Sequence, residues 1–170
     1  MEAQAIFDML KGKFGDAVVE LQGAGFSPAF GVVAPAEMNA IARFLRDDPA
    51  LSFDSLMCLS GVDYKERFAV AYHLHSLKHR HAIGLKAMLP RANPSLPTVD
   101  DVGPAANFQG REASGLCGLV FEGAEYHRRL MPPGDGEGRR LWRAYQTARR
   151  AAAGGRVRGT GRRERVRHRT

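Results

Sequence analysis

The chain has 170 residues and an ordinary apolar content of 44%, which fits one globular domain followed by a short extension. It has no run of eighteen apolar residues and no long apolar segment near its N-terminus, so neither a transmembrane helix nor a signal peptide is predicted. The formal charge of +7 comes from residues 139–170, which hold twelve arginines and one acid; the first 138 residues sum to −4, which excludes a strongly basic nucleic-acid-binding domain.

The first fifty residues predict two helices with two short strands between them. Apolar side chains recur at helical spacing over residues 3–14, and Gly15 stands where that helix ends. A second apolar stripe follows Pro35, a residue suited to a first helical turn, and Pro49 closes this helix. The two predicted strands are residues 17–21 and 29–33, separated by the turn-forming sequence GAGFSP.

The centre of the chain predicts three strands. The apolar sequence SFDSLMCLSGVDY is typical of a buried strand that ends near its glycine. Residues 68–77 alternate, so that Tyr72 faces one side of the strand and His73 and His75 face the other. Residues 82–89 return after a short polar turn, and the two runs therefore predict an antiparallel hairpin.

The C-terminal part of the chain predicts less regular structure. The sequence PRANPSLPT is a predicted loop, residues 99–116 are partly helical, and Gly118 ends that helix. From Val120 onward glycine and proline become frequent, which predicts an extended loop. From about Gln146 onward large apolar side chains are lacking, so we expect disorder there.

Together these elements predict an α+β fold, in which a mostly antiparallel sheet carries helices packed on one face and an extended C-terminal arm follows. The predicted division is an α+β domain at residues 1–118, an extended interface arm at residues 119–146 and a disordered arginine-rich tail at residues 147–170. Such a tail can contact nucleic acid or anionic lipid electrostatically. It has no interleaved aromatic residues for base stacking, so no specific nucleic-acid partner is expected.

Four of the six histidines lie in the sequence YHLHSLKHRH. They form two pairs at i, i+2 spacing, which could present imidazoles to a zinc or iron ion. Lys78 and Arg80 are interleaved and would repel a cation, and no acid from residue 67 to residue 90 can supply a ligand or orient an imidazole. We therefore favour two histidines on the polar face of the hairpin and two at its tip over a metal site. The four are His73, His75, His79 and His81.

Other candidate sites are weak. Cys58 and Cys117 lack metal-binding spacing and are expected to be reduced and largely buried. The pair Asp47–Asp48 ends a helix, and the pair Asp100–Asp101 can serve the N-terminus of the helix that follows. The chain contains no nucleophile-elbow, zinc-protease, phosphate-binding or dinucleotide-binding motif. Its chemistry alone indicates a scaffold or assembly protein without catalytic residues.

Two blocks of sequence carry a family resemblance. They are LSGVDYKERFAVAYHLHSLKHRHAIGLKAMLP, residues 59–90, and PAANFQGREASGLCGLVFEGAEYHRRLMPPGDGEG, residues 104–138. Together they resemble the C subunit of the NADH-quinone oxidoreductase, which is the thirty-kilodalton subunit of respiratory complex I. The chain departs from the family pattern at several positions; Phe108, for example, replaces its tryptophan, and Gly110 replaces an acid.

The resemblance implies a non-catalytic structural subunit in the peripheral arm of a proton-translocating NADH:quinone oxidoreductase, on the cytoplasmic side of the cell inner membrane. It implies that the D, B and I subunits are partners and that membrane association is indirect, through the complex. No cofactor or metal is expected in this chain, because in the family NADH, FMN, the iron–sulfur clusters and quinone belong to partner subunits. A subunit of a related membrane-bound hydrogenase complex and a histidine-hairpin metal-binding protein are the alternatives.

Charged residues in the second block match the family pattern, and the resemblance implies that they contact partner subunits or fix the arm. Arginine suits such a role because its guanidinium pairs with two carboxylate oxygens at once. The alternative, that these residues form intramolecular salt bridges holding the C-terminal arm, is equally open. The candidates are Arg111, Glu112, Arg128 and Arg129.

Overall fold

The computed structural model describes residues 2–23, 29–125 and Leu130. The predicted arginine-rich tail, and the predicted arm beyond residue 125 apart from Leu130, lie outside the described residues. In chain order the helices and strands are α1 (Ala3–Phe14), β1 (Val18–Gln22), β2 (Phe30–Val33), α2 (Met38–Asp47), β3 (Ser55–Asp63), β4 (Arg67–Ser76), β5 (His81–Pro90), β6 (Ser95–Pro97), α3 (Ala105–Cys117) and β7 (Val120–Glu122).

The predicted α+β fold is confirmed. Five strands form one sheet in the order β1-β2-β5-β4-β3, in which only the β2–β5 pair is parallel. The predicted hairpin is its centre: β4 and β5 pair without interruption from Arg67 opposite Pro90 to Ser76 opposite His81. Side chains directly opposite one another in such a pair share a face, so this register assigns every residue of the hairpin to one side of the sheet.

The three helices pack on the face that carries Tyr72 and Leu85, which we call the helical face. Phe7 of α1 lies over Gly31, whose partner in β5 is Leu85. The apolar positions of α2 recur every three or four residues, and Met38, Ile41 and Leu45 are fully buried there. Burying each of these side chains contributes on the order of 2 kcal/mol, so the helical face holds the main core.

The end of helix α3 packs closely against β3 at Gly61. A Cβ atom on Gly61 would lie 2.8 Å from Cδ1 of Leu119 and 3.1 Å from Sγ of Cys117. Cys117 is the last residue of α3 and is buried, as expected for it, whereas Cys58 is exposed, contrary to expectation. Cys58 is opposite His73, on the side of the sheet away from the helices, which explains that exposure.

A second, two-stranded sheet was not predicted. The parallel strands β6 and β7 pair within segments that the sequence predicts as loops. Leu96 and Phe121 are opposite one another and buried, so the pair closes the core at the end of α3. Within the described part of the chain, no helix is both long and apolar enough to cross a membrane.

We predict that Gly61→Ala lowers the free energy of unfolding by about 1–3 kcal/mol, because the added methyl group overpacks the contact with Leu119 and Cys117. Urea unfolding followed by circular dichroism measures this difference. Gly12→Ala in α1 is the matched control, since a Cβ there meets no atom within 4 Å. This control is expected to stabilise the protein by up to about 1 kcal/mol through its helix propensity. Equal effects of the two changes would contradict the packing described here.

Candidate subunit interface

Helix α3 carries two of the four predicted site residues, Arg111 and Glu112. The helix ends at Gly118, which has a left-handed φ of 78° and donates its N–H to the carbonyl of Ser114 at 2.9 Å. The buried side of α3 consists of small residues, which lets the helix lie close to the sheet. These are Ala106, Gly110, Ala113 and Cys117; Gly115 is also buried but lies on another side of the helix.

The opposite side of α3 presents Phe108, which is 65% exposed. The guanidinium carbon of Arg111 lies 5.6 Å from the centroid of the Phe108 ring, within the range of a cation–π contact. Glu112 is exposed one turn after Phe108. An exposed aromatic ring beside an arginine is the composition that dominates binding energy at protein interfaces. Arg111 and Glu112 are predicted from the sequence as site residues and Phe108 is not, although its helical spacing from Glu112 is a usable signal.

A groove of about 230 Å³ runs between α3 and the edge strand β3. Glu112 and Leu116 line it from the helix, and Ser60 and Gly61 line it from the strand. The groove lies next to the Phe108 side of α3 and can receive a side chain from a bound protein. Arg111 lies on the other side of the helix axis, where it lines a separate small cavity.

Gln109 of α3 satisfies the outer edge of β3. Its Oε1 accepts the backbone N–H of Leu59 at 2.6 Å, and its Nε2 donates to the carbonyl of Met57 at 3.4 Å. A side-chain amide therefore occupies the place of a neighbouring strand at Met57 and Leu59, which hinders pairing with another chain at these two residues. Contacts to a partner in this region are thus expected to come from side chains of α3 and not from added strands.

The predicted role of Asp100–Asp101 at the start of a helix is wrong. Helix α3 begins after Pro104 and has no side-chain cap. Asp101 instead pairs with Arg43 of α2 and accepts a hydrogen bond from Asn39 at 2.9 Å. These contacts tie the loop before α3 to α2, and they position α3 from its N-terminal end.

The four histidines of the hairpin do not converge. His73 and His75 lie on the side of the sheet opposite the helical face, as predicted. His81 is opposite Ser76 and points to the helical face, where it is buried. His81, which is predicted at the tip of the hairpin, is the first residue of β5, directly after the turn. In residues 2–23 and 29–125, no three histidine, cysteine or acidic side chains are placed to hold a metal ion.

His79 and His81 fasten the hairpin to the loop after α2. Nε2 of His79 lies 3.0 Å from the carbonyl oxygen of Pro49, and Nε2 of His81 lies 2.9 Å from that of Leu51. The two rings stack with centroids 5.6 Å apart. Burial lowers the pKa of His81 below its ordinary value of 6.5, although the hydrogen bond to Leu51 opposes this shift. The neutral imidazole donates its Nε2 proton to the Leu51 carbonyl, while Nδ1 is buried without a hydrogen-bond partner among the described residues.

Arg128 and Arg129, the remaining predicted site residues, lie outside the described residues. Their role as contact or arm-fixing residues stays a prediction.

We predict that His81→Gln makes stability less dependent on pH. In the unfolded chain His81 has its ordinary pKa of 6.5, and in the folded chain this pKa is lower. The contribution of neutral His81 to the stability of the folded chain is therefore fully present above pH 6.5 and is lost as the pH falls below it. Glutamine retains a donor for Leu51 but cannot be protonated. Urea unfolding at pH values between about 8 and 5 should show a shallower loss of stability in this variant than in the wild type.

The control for this prediction is His73→Gln, the same substitution on the opposite side of the sheet. It is expected to retain the loss of stability of the wild type. If the two variants behave alike, burial of His81 is not the source of the pH dependence.

Comparison with known proteins assigns a family. A family model described as "Respiratory-chain NADH dehydrogenase, 30 Kd subunit" matches residues 32–150. The C subunit of the NADH-quinone oxidoreductase of Chloroherpeton thalassium is 37% identical over 142 residues, which cover 82% of this chain and 59% of that protein. The protein of the same name from Roseiflexus castenholzii is 43% identical over 112 residues, 64% of each. That of Chlorobium phaeobacteroides is 36% identical over 85% of this chain and 89% of its own length.

Solved structures agree in fold. The chain described as "Nqo5 of the trypsin-resistant fragment (1-134)" matches with a TM-score of 0.61 at 27% identity, covering 76% of this chain and all of that one. A chain of the membrane-bound sulfane sulfur reductase, an archaeal respiratory membrane complex, matches with a TM-score of 0.70 at 17% identity, which shows the fold alone. The chain spans only 59% and 64% of the first two relatives. The sequence matches nonetheless cover most of its length, and the chain belongs to the family of the 30 Kd subunit of respiratory-chain NADH dehydrogenase.

Proposed function

We propose that this chain is a non-catalytic structural subunit in the peripheral arm of a proton-translocating NADH:quinone oxidoreductase. The observation that carries the proposal is the family match over residues 32–150. Relatives from several bacteria are named as the C subunit of NADH-quinone oxidoreductase, and three of them are 36–43% identical to this chain. This chain would support electron transfer from NADH to quinone without an active site of its own.

The proposal extends to cofactors, partners and location. NADH, FMN, the iron–sulfur clusters and quinone would bind partner subunits, and the D, B and I subunits would be the neighbours of this chain. It would lie on the cytoplasmic side of the cell inner membrane, attached through the complex. The separated histidines, with His81 used to fasten a loop, support a structural role for the hairpin.

The exposed side of α3 supports a role in assembly. Phe108 is a large apolar side chain that is 65% exposed, and keeping it in water is unfavourable. Arg111 holds the ring from one side, and Glu112 adds a carboxylate one turn further along. This surface can bury an aromatic anchor and pair charges with a partner, which is how tight protein interfaces are built.

We predict that Phe108→Ala weakens binding to a co-expressed pair of the D and B subunits from the same organism by about tenfold or more, the usual loss for an aromatic anchor. Pull-down through a tag on this chain, followed by titration of the purified components, measures the affinity. The melting temperature of the isolated variant should stay near that of the wild type because the ring is exposed.

Leu77→Ala is the matched control, since this side chain is 67% exposed in the turn between β4 and β5. It is expected to bind like the wild type. A wild-type chain that remains alone in the presence of the D and B subunits argues against the proposed function. Normal binding by Phe108→Ala argues only against the role of α3.

A further inference from the structure

A small cavity lies in the main core, between the sheet, α2 and the loop before α3 (residues 98–104). Its volume is about 20 Å³. Tyr72 and Leu85 line it from the sheet, and Met38 lines it from α2. The loop contributes Val99, Val102 and Gly103. The cavity therefore separates the centre of β4 from the segment that leads into α3.

The hydroxyl group of Tyr72 is a polar group in this apolar surrounding. Tyr72 is 2% exposed, and its hydroxyl has no hydrogen-bond partner among the described residues. Burial raises the pKa of this hydroxyl, and the negative charge of Asp100 raises it further, so the group stays protonated. It is thus a buried donor, and burying a donor without an acceptor is unfavourable.

A second buried oxygen lies on the loop before α3. Asp100 directly follows Val99, and Oδ1 of its carboxylate accepts a hydrogen bond from the Thr98 hydroxyl. Its Oδ2 is buried and has no partner in the described part of the chain. The same side chain lines the small cavity beside Arg111. The carboxylate is close enough to Tyr72 for its charge to act on the hydroxyl, yet no direct hydrogen bond joins the two.

Size and chemistry select what can join this donor to this acceptor. A volume of roughly 10–15 Å³ is enough for one water molecule, and a cavity stays dry only where its lining is apolar throughout. Water accepts the proton of a hydroxyl and donates its own to a carboxylate, whereas a metal ion cannot accept a proton. In addition, no three histidine, cysteine or acidic side chains of the described residues are placed to hold a metal ion.

We propose that this cavity binds one buried water molecule, which accepts the hydrogen bond of the Tyr72 hydroxyl and donates to Oδ2 of Asp100. The water joins the centre of β4 to the loop before α3 from the inner side. Asn39 and Arg46 of α2 hold the same loop through its carbonyl groups. Tyr72 is thereby a positioning residue for α3. The proposal needs no partner subunit, so its failure leaves the proposed function untouched.

A high-resolution crystal structure of the full chain tests the proposal directly. We expect one water molecule within about 3.2 Å of both the Tyr72 hydroxyl oxygen and Oδ2 of Asp100. The structure of Tyr72→Phe should lack this water, because the phenyl ring offers it no donor.

The effect of Tyr72→Phe on stability distinguishes a hydrated cavity from a dry one by its sign. If water satisfies the hydroxyl, the substitution breaks the link to Asp100, and the midpoint of urea unfolding should fall by roughly 0.5 M. In a dry cavity the substitution removes an unsatisfied buried hydroxyl, so the midpoint would stay or rise. Tyr64→Phe is the matched control, since Tyr64 is 38% exposed between β3 and β4 and should unfold like the wild type.

A double-mutant cycle tests the link to Asp100. Asp100→Ala should lower the urea midpoint less in Tyr72→Phe than in the wild type, because the first substitution has already released the water. In Tyr64→Phe, Asp100→Ala should have its full wild-type effect.

Three outcomes overturn the proposal. The first is a protein atom, and not water, in hydrogen-bond contact with the Tyr72 hydroxyl in the crystal structure. The second is an unchanged or raised urea midpoint in Tyr72→Phe, which would mean that the cavity is dry. The third is additivity of Tyr72→Phe and Asp100→Ala, which would mean that no water joins these two side chains.

Discussion

The pairing of β4 with β5 is the interaction on which the rest of the structure depends. Its register runs unbroken over ten residue pairs and fixes which side chains face each side of the sheet. A slip of one residue would turn Tyr72 and Leu85 away from the helices and bring His73 and Lys86 into the core. The hydrophobic pattern of this hairpin therefore sets which side of the sheet the helices cover.

The position of α3 depends on the β4–β5 pair indirectly, through β3. The neighbour of β4 is β3, and the glycine at position 61 allows the end of α3 to lie against it. Gln109 then satisfies the outer edge of the strand, and Asp101 ties the preceding loop to α2. Phe108 is a large apolar side chain that α3 leaves exposed, with Arg111 and Glu112 beside it, and it is the partner contact that we propose.

Much of this could be predicted from the sequence, because strict alternation identifies a hairpin and helical spacing identifies α1 and α2. The pair β6–β7 could not, since three-residue strands near prolines carry no periodic signal. The predicted strand begins at residue 82, whereas β5 begins one residue earlier, at His81. Alternation along the sequence does not locate the end of a turn to a single residue, and the pairing of His81 with Ser76 puts His81 on the helical face. The contacts of Gln109 and Asp101 join residues about fifty or more positions apart, and spacing along a chain does not reveal such contacts.

The family resemblance and the geometry support one account, in which the chain contributes surfaces and its neighbours contribute redox chemistry. Purification of the native membrane complex through a tag on this chain tests that account most directly. The account predicts that NADH-dependent quinone reduction, together with flavin and iron–sulfur clusters, is recovered with the tagged chain. Recovery of the chain alone, without this activity, would contradict it.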